Sequence, residues 1–419
     1  MLSIMRQAMA RKRPNPLRIL VTEHGGSHEE VYSALIYTFG RLPHAIVYPY
    51  LLLPRFNITA VLSSFGFGNI GYPRFSGDLK IDSTDAKGGL EAPDIVVSTT
   101  CELDLSGLKD QYSRMLSRGS YLFCTVHHAD RWTKDHSSGA YEAVAPWIDA
   151  GKVTFLFLSP HTRGFMTKWA LPTWDKKHRM VRGKFEVFVP VYPVPSAEIG
   201  ATSWDTDAHE FNVSVQGNYE SSRRDYKTLF EHLERENSES KEKSTDNKEA
   251  KIRLHLIGSG KRPQVPNEVD EQVTFDDSLS FLDFYRVLAG SVAILPAFAN
   301  DEYYYHKASS SVPASLIAGT PLVGPRRLED TYAYLKGKGG KLHTIWAQKK
   351  KETEMDVVER ILKGGKEGIS GRKATVRRVR DELLVENYDK VEWMTGVVPY
   401  KVDRLQSDAD PRAGWRWKW

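Results

Sequence analysis

The chain has little of what would tie it to a redox centre, a membrane or a polyanion. Among 419 residues there are two cysteines, Cys101 and Cys124, each in or beside an apolar run and neither in a metal-ligand pair. Buried free thiols in a reducing compartment are the expectation, with one disulfide as the alternative. No apolar run approaches the roughly 20 residues that cross a bilayer, which excludes a spanning helix, and no secretory-type apolar core opens the chain, so a cytoplasmic location is expected. Acidic residues are missing before Glu23, whereas Arg6, Arg11, Lys12, Arg13 and Arg18 precede it. Those five cations account for the whole net charge of +5, leaving a neutral body for which no nucleic-acid partner is expected. Neither half carries Gly-x-Gly-x-x-Gly with an acid about 20 residues on, which disfavours a nicotinamide dehydrogenase. Gly258-Ser259-Gly260-Lys261 lacks the spacing of a P-loop.

What remains is an ordinary globular composition, 41% hydrophobic and 26% charged, in a chain long enough for two domains of about 200 residues. Residues 1–16 read as a disordered basic arm. Strands are expected over 17–21, 44–47, 58–62, 95–98, 121–126, 153–158 and 185–189, with helical spacing over 27–40, 104–117 and around 165–169. Ser27 with Glu30 has the pattern of a capping box. Such alternation predicts a parallel sheet with helices on both faces. The glycine-rich stretch 65–92 reads as a lid-like loop. Pro190, Pro193 and Pro195 end the first domain, 17–195, and 196–209 read as a linker.

The second domain, 210–395, opens with a strand over 211–215. Gln216-Gly217-Asn218-Tyr219 then turns into a helix carrying Arg223 and Arg224, which read equally well as a solvated face. Residues 234–251 hold no large apolar side chain and read as a disordered insertion. Strands follow over 252–257 and 273–275, then a helix with Phe281, Phe284 and Tyr285 on its apolar side. The most informative unit is 291–324: a buried strand over 292–295, a polar loop, Ser309-Ser310-Ser311 as N-cap hydroxyls, a short helix ending at Gly319, and a strand over 320–324. Such a crossover sets a helix N-terminus beside a strand end, a place suited to phosphate. A helix over 329–335, a strand over 342–345 and helices over 355–362 and 372–387 complete the domain. The tail, 396–419, ends in Trp415, Trp417 and Trp419 and is expected to pack at the domain junction.

Ala318-Gly319-Thr320-Pro321-Leu322-Val323 is similar to the close of the donor-binding helix in retaining GT-B glycosyltransferases of group 1. That family carries two glutamates eight positions apart, the second five residues before the glycine. Counting back from Gly319 gives Ala314 and His306, so both acids are missing, and Asp301 and Glu302 are the nearest carboxylates. The resemblance implies an α/β fold of two Rossmann-like parallel-sheet domains facing across a cleft. It implies that Gly25 and Gly26 face the acceptor and the donor diphosphate, with Glu23 and His24 at their edge. It also places His127, after a central strand, near the transferred sugar, with Asp130 or Arg131 orienting it. Gly217, Arg223, Arg224, Gly258, Lys261, Lys307, Ser309, Ser310 and Ser311 become the donor-binding set, and His127 and Glu302 the catalytic candidates. Tyr303-Tyr304-Tyr305 line the sugar pocket or merely pack. The implied activity is transfer of a sugar from a nucleotide-diphosphate donor to a hydroxyl acceptor of unknown identity, retaining, with no metal and no other cofactor. The alternative is a protein of the same shape that binds a nucleotide sugar or glycan without catalysis.

Overall fold

A computed structural model describes residues 16–43, 45–70, 74–75, 93–195, 210–242 and 251–396. The basic arm except residue 16, the linker 196–209, most of the stretch 65–92 and the tryptophan tail beyond residue 396 lie outside them.

Two parallel sheets form the molecule. The first has seven strands, β1 (Leu17–Glu23), β2 (Ala45–Leu51), β3 (Arg74–Phe75), β4 (Ile95–Ser98), β5 (Tyr121–Val126), β6 (Val153–Phe157) and β7 (Phe185–Val187), in the order β3-β2-β1-β4-β5-β6-β7. The second has β8 (Glu210–Gln216), β9 (Lys251–Gly258), β10 (Val273–Asp277), β11 (Ala293–Ile294), β12 (Leu322–Gly324) and β13 (Ile345–Ala347), in the order β10-β9-β8-β11-β12-β13. β4 and β6 are buried at every position, as strands covered by helices on both faces must be. In each sheet the order reverses beside the first strand, between β1 and β4 and between β8 and β11. Loops part at such a reversal and leave a crevice at the carboxyl ends of the strands.

The lobes are joined through apolar contact and a shared helix. Tyr192 and Tyr285 meet edge to face with their hydroxyls 3.0 Å apart. The 29-residue helix Lys366–Met394 starts on the second lobe and reaches the first. There Asn387 donates to the Val189 carbonyl at 2.6 Å, Lys390 donates to that of Val187 at 3.0 Å, and the Arg41 guanidinium lies over the Tyr388 ring. This helix begins earlier than its apolar spacing suggests, because Gly368 and Gly371 dilute the pattern while Ile369 anchors the first turns in the core.

Other differences have equally local causes. Residues 58–62 are not a strand: Ile58–Ser64 is a helix whose buried residues, Ile58, Val61 and Leu62, fall at helical spacing. The capping box does not form, since the helix Glu29–Gly40 starts one residue later, with His28 at its N-cap, and Ser27 Oγ donates instead to the Gly25 carbonyl. Arg223 and Arg224 precede the helix Tyr226–Glu242 and so do not form its solvated face. That helix runs through 234–242 and β9 starts at Lys251, so the polar stretch read as a disordered insertion is partly ordered at both ends. β13 lies at Ile345–Ala347, slightly later than the expected 342–345. Cys101 and Cys124 are joined in a disulfide across 5.2 Å between Cα atoms, not free thiols, because the first turn of the helix Cys101–Gly107 packs directly on β5. The thiol-based case for a reducing compartment therefore falls away. Among the described residues no helix is long and apolar enough to cross a membrane.

Candidate functional site

The carboxyl end of β8 and the turn after it are pressed against the end of β9. A Cβ on Gly258 would lie 1.9 Å from the Gly217 carbonyl oxygen, so only glycine fits there. Arg224 folds back under this turn and is 3% exposed. Its Nε and Nη2 donate to the Gln216 carbonyl at 3.2 and 2.9 Å, and Nη2 approaches Ser311 Oγ at 3.4 Å. The Gln216 side chain completes the junction, donating to Ser310 Oγ at 3.2 Å and accepting from Ser311 Oγ at 2.9 Å. The guanidinium rests against the rings of Phe298 and Tyr303. Among the described residues no carboxylate forms an ion pair with it. Burial pulls its pKa below the usual arginine value, yet the group stays charged at neutral pH. A buried cation whose partners are all neutral dipoles is short of negative charge.

Arg223 is more open and donates to the Tyr303 hydroxyl at 2.8 Å. Lys307 Nζ lies 2.6 Å from Glu302 Oε2, a pairing that holds the Glu302 carboxyl below its usual range. Glu302 is thus an ion-paired anion at the cleft and not a free base. The triple serine packs the start of the helix Ser311–Ala318 more than it caps it. Ser309 Oγ accepts from the Ser311 amide at 3.3 Å, the Ser309 amide donates to the Tyr332 hydroxyl at 3.0 Å, and Ser310 makes no side-chain cap. Val312 and Ala314 amides are already bonded within the turn and Pro313 has none, so this terminus offers a dipole more than free N–H groups.

On the facing lobe, β1 delivers Glu23 into the interior. Glu23 Oε2 accepts from the Gly26 amide at 2.9 Å and Oε1 from the Ser27 amide at 3.3 Å. The loop amides expected to meet phosphate are therefore occupied by the chain's own carboxylate. A Cβ on Gly25 would stand 2.9 Å from Leu103 Cδ1, the end of an exposed side chain that can move aside. Burial, and next the nearby Asp104, push the Glu23 carboxyl up to about 7. The native state then binds more protons than the unfolded chain between about pH 4.5 and 7, so stability should fall as pH rises through that window, by roughly 3 kcal/mol in total. Urea midpoints measured across it should drop for the wild type and stay flatter for Glu23→Gln.

His127 follows β5 and is buried. Its Nε2 stands 2.7 Å from the Thr99 carbonyl oxygen, which only accepts, so that nitrogen carries the proton and Nδ1 keeps its lone pair. Burial, then the charge on His28 with ring centroids 3.9 Å apart, holds the imidazole neutral, well below the usual histidine range. Burial also opposes charge on His28, but Glu30, followed by Glu23 and Glu102, outweighs it and raises that pKa. Glu102 Oε1 gathers the His127 and His128 amides at 2.8 Å and Trp132 Nε1 at 3.0 Å, fixing the start of the histidine loop. His128 bridges to the Lys307 backbone across the lobes, and His161 Nε2 donates to the Lys307 carbonyl at 3.0 Å.

Together these surfaces enclose a cavity of about 810 Å³ between the lobes. That is within the size range of small-ligand sites. His127, Glu302, Gly217, Arg223, Arg224, Gly258, Lys307, Ser309 and Ser310 line it, whereas Gly25, Gly26, Lys261 and Ser311 do not. Lys261 is exposed beyond the turn, and Ser259 stands at the wall instead. Phe281, Phe284 and Tyr285 give one side an aromatic wall. Sequence reasoning missed His28, Glu102 and Gln216. Only His28 had a visible signal, its place after the glycine pair that follows β1.

Neither a family model nor a curated protein matches the chain. Solved structures match it by shape. Anabaena Alr3699/HepE in complex with UDP and glucose aligns over 90% of this chain and 99% of its own, with a TM-score of 0.52 and 10% identity. A glycosyltransferase from Rickettsia africae ESF-5 aligns over 91% of this chain and 99% of its own, with a TM-score of 0.52 and 10% identity. At that identity the likeness is one of fold, and with the two switch-point sheets it gives this chain the GT-B fold, two Rossmann-like domains facing across a cleft.

Proposed function

We propose that the cleft binds a nucleotide-diphosphate sugar and transfers the sugar to a hydroxyl acceptor. The observation that carries this reading is Arg224, a buried guanidinium without an anion, beneath two glycine turns where a ligand can approach backbone closely. The solved structures of like shape include one holding UDP and glucose, which supports the same class of donor. In this reading the diphosphate lies over Gly217 and Gly258, within reach of Arg224, Arg223 and Lys307, and the base turns towards Phe281 and Phe284. The sugar then points to His127. The bond between the anomeric carbon and the phosphate oxygen breaks, and the negative charge left on the diphosphate is stabilised by those cations and by the dipole of the helix Ser311–Ala318.

Retention is the expected outcome, with the departing phosphate oxygen taking the acceptor's proton while His127 Nδ1 accepts from a sugar hydroxyl, a bond that tightens only as positive charge develops on the anomeric carbon. Inversion, read from the product anomer by NMR, would make His127 the base. With cations in this role no metal is required, and turnover should persist in chelator. Lys261→Ala, at an exposed site off the wall, should leave donor affinity within about twofold, since surface changes away from a site usually cost under about 0.5 kcal/mol.

A second reading keeps the donor site and drops catalysis. It is favoured by Ala314 and His306 at the glutamate positions and by the Glu302–Lys307 pair, which ties up the carboxylate nearest to them in the chain. Titration with a panel of nucleotide sugars followed by transfer and hydrolysis assays separates the two. Turnover supports the first, binding without turnover the second, and binding to none removes both.

A further inference from the structure

The body of the protein is neutral, yet its cations are not spread evenly. Residues 163–184 hold seven lysines and arginines against a single acid, Asp175. This segment is a run of short helical turns that covers one face of the first sheet. Its inward side chains, Met166, Ala170, Leu171, Trp174 and Val181, all join one core cluster, which turns the residues between them outward. Arg163, Lys168, Lys176, Arg179 and Arg182 are exposed, and among the described residues none of them pairs with a carboxylate. The acids close by are already neutralised, Asp175 by Lys134 and Asp149 by Lys177.

Two large apolar side chains stand among these cations. Trp169 is 54% exposed, with Lys168 Nζ 4.8 Å from its ring, and Met180 is 85% exposed. Each leaves much of an apolar side chain facing water, which costs free energy. A tryptophan with a cation beside it, a protruding methionine and five exposed cations without a carboxylate partner, all on one segment, fit one environment in particular. At the surface of an anionic bilayer, indole settles at headgroup depth, methionine enters the acyl boundary and lysine and arginine meet lipid phosphates. A nucleic acid would use the same charge and is the competing occupant that the test below separates.

We propose that this face of the first lobe docks on an anionic lipid bilayer. The contact is peripheral, and it rests on the segment 163–184 and not on the cleft. Flotation of the full chain with lipid vesicles tests it. Vesicles of phosphatidylcholine and phosphatidylglycerol should carry the protein upward, those of phosphatidylcholine alone should not, and salt near 1 M, where screening reaches about 3 Å, should release it. Each removed cation should weaken binding about fivefold. The quadruple variant Arg163→Gln, Lys168→Gln, Lys176→Gln, Arg182→Gln should therefore lose it altogether with an unchanged thermal midpoint. Trp169→Ser should weaken binding while keeping its salt dependence, and should remove the blue shift of tryptophan emission that vesicles cause in the wild type. Failure to float with anionic vesicles, flotation that these variants leave intact, or equal binding to neutral vesicles would overturn the proposal. Binding to a duplex oligonucleotide that outcompetes the vesicles would overturn it too, by giving the patch to nucleic acid.

Discussion

Replacing Arg224 by alanine is expected to lower affinity for a nucleoside diphosphate by about 10- to 150-fold, the equivalent of roughly 1.5 to 3 kcal/mol for charge-assisted hydrogen bonds. The effect is large because the guanidinium is buried and held in one orientation by the Gln216 carbonyl, so no water screens it from a phosphate. The neighbouring Arg223 has a half-exposed side chain, and its removal should cost less, under about 1 kcal/mol. Arg224 also ties β8 to the start of the helix Ser311–Ala318, so the alanine variant should melt earlier. Arg224→Lys separates the two roles: a single ammonium keeps the charge but not the fork of bonds, and should retain part of the affinity. Calorimetric titration of each variant, with melting followed separately in the absence of ligand, reads both effects. A folded Arg224→Ala protein with wild-type affinity would remove the diphosphate from this position.

His127→Ala should reduce turnover by roughly 100-fold or more while leaving donor affinity nearly unchanged. The imidazole enters the cavity from the lobe opposite the proposed donor site, and its Nε2 bond to Thr99 leaves only Nδ1 to meet a sugar or an acceptor. Because burial and His28 keep the ring neutral, its contribution should not titrate between about pH 6 and 8. The ratio of wild-type to His127→Ala rates across that range with saturating donor checks this, since His28 and Glu23 titrate in both proteins. A variant that loses donor affinity in step with turnover would place His127 in ground-state binding instead.

The two-sheet architecture was legible because apolar strands and helical stretches alternate in each half, and buried parallel strands leave continuous runs such as Ile95-Val96-Val97. The end of β8 was legible for the same reason, whereas the cleft positions of its glycine turn, of the arginines beyond it and of the histidine after β5 were implied by the family resemblance; all of them line the cavity. What failed were readings that depend on where a side chain turns. The loop of Gly25 and Gly26 looked open to phosphate, but a sequence does not reveal that Glu23 folds back to occupy its amides. Lys261 has the right type and place in the chain, yet the turn sends it away from the cavity wall. Ile58–Ser64 was misread because a short, mostly apolar run such as 58–62 suits a strand or a helix equally. The Cys101–Cys124 bridge needed the knowledge that a helix starts over β5. Glu102 and Gln216 left no mark at all, since each acts through backbone amides or serines that only the fold assembles.

The measurement that bears most directly on the cleft is titration calorimetry of the full chain with uridine, guanosine and adenosine diphosphates and their sugars. At least one should bind with a single site per chain, at an affinity cut at least tenfold by Arg224→Ala and untouched by Lys261→Ala. Silence across the whole panel, or binding that Arg224→Ala leaves as it was, would contradict the account.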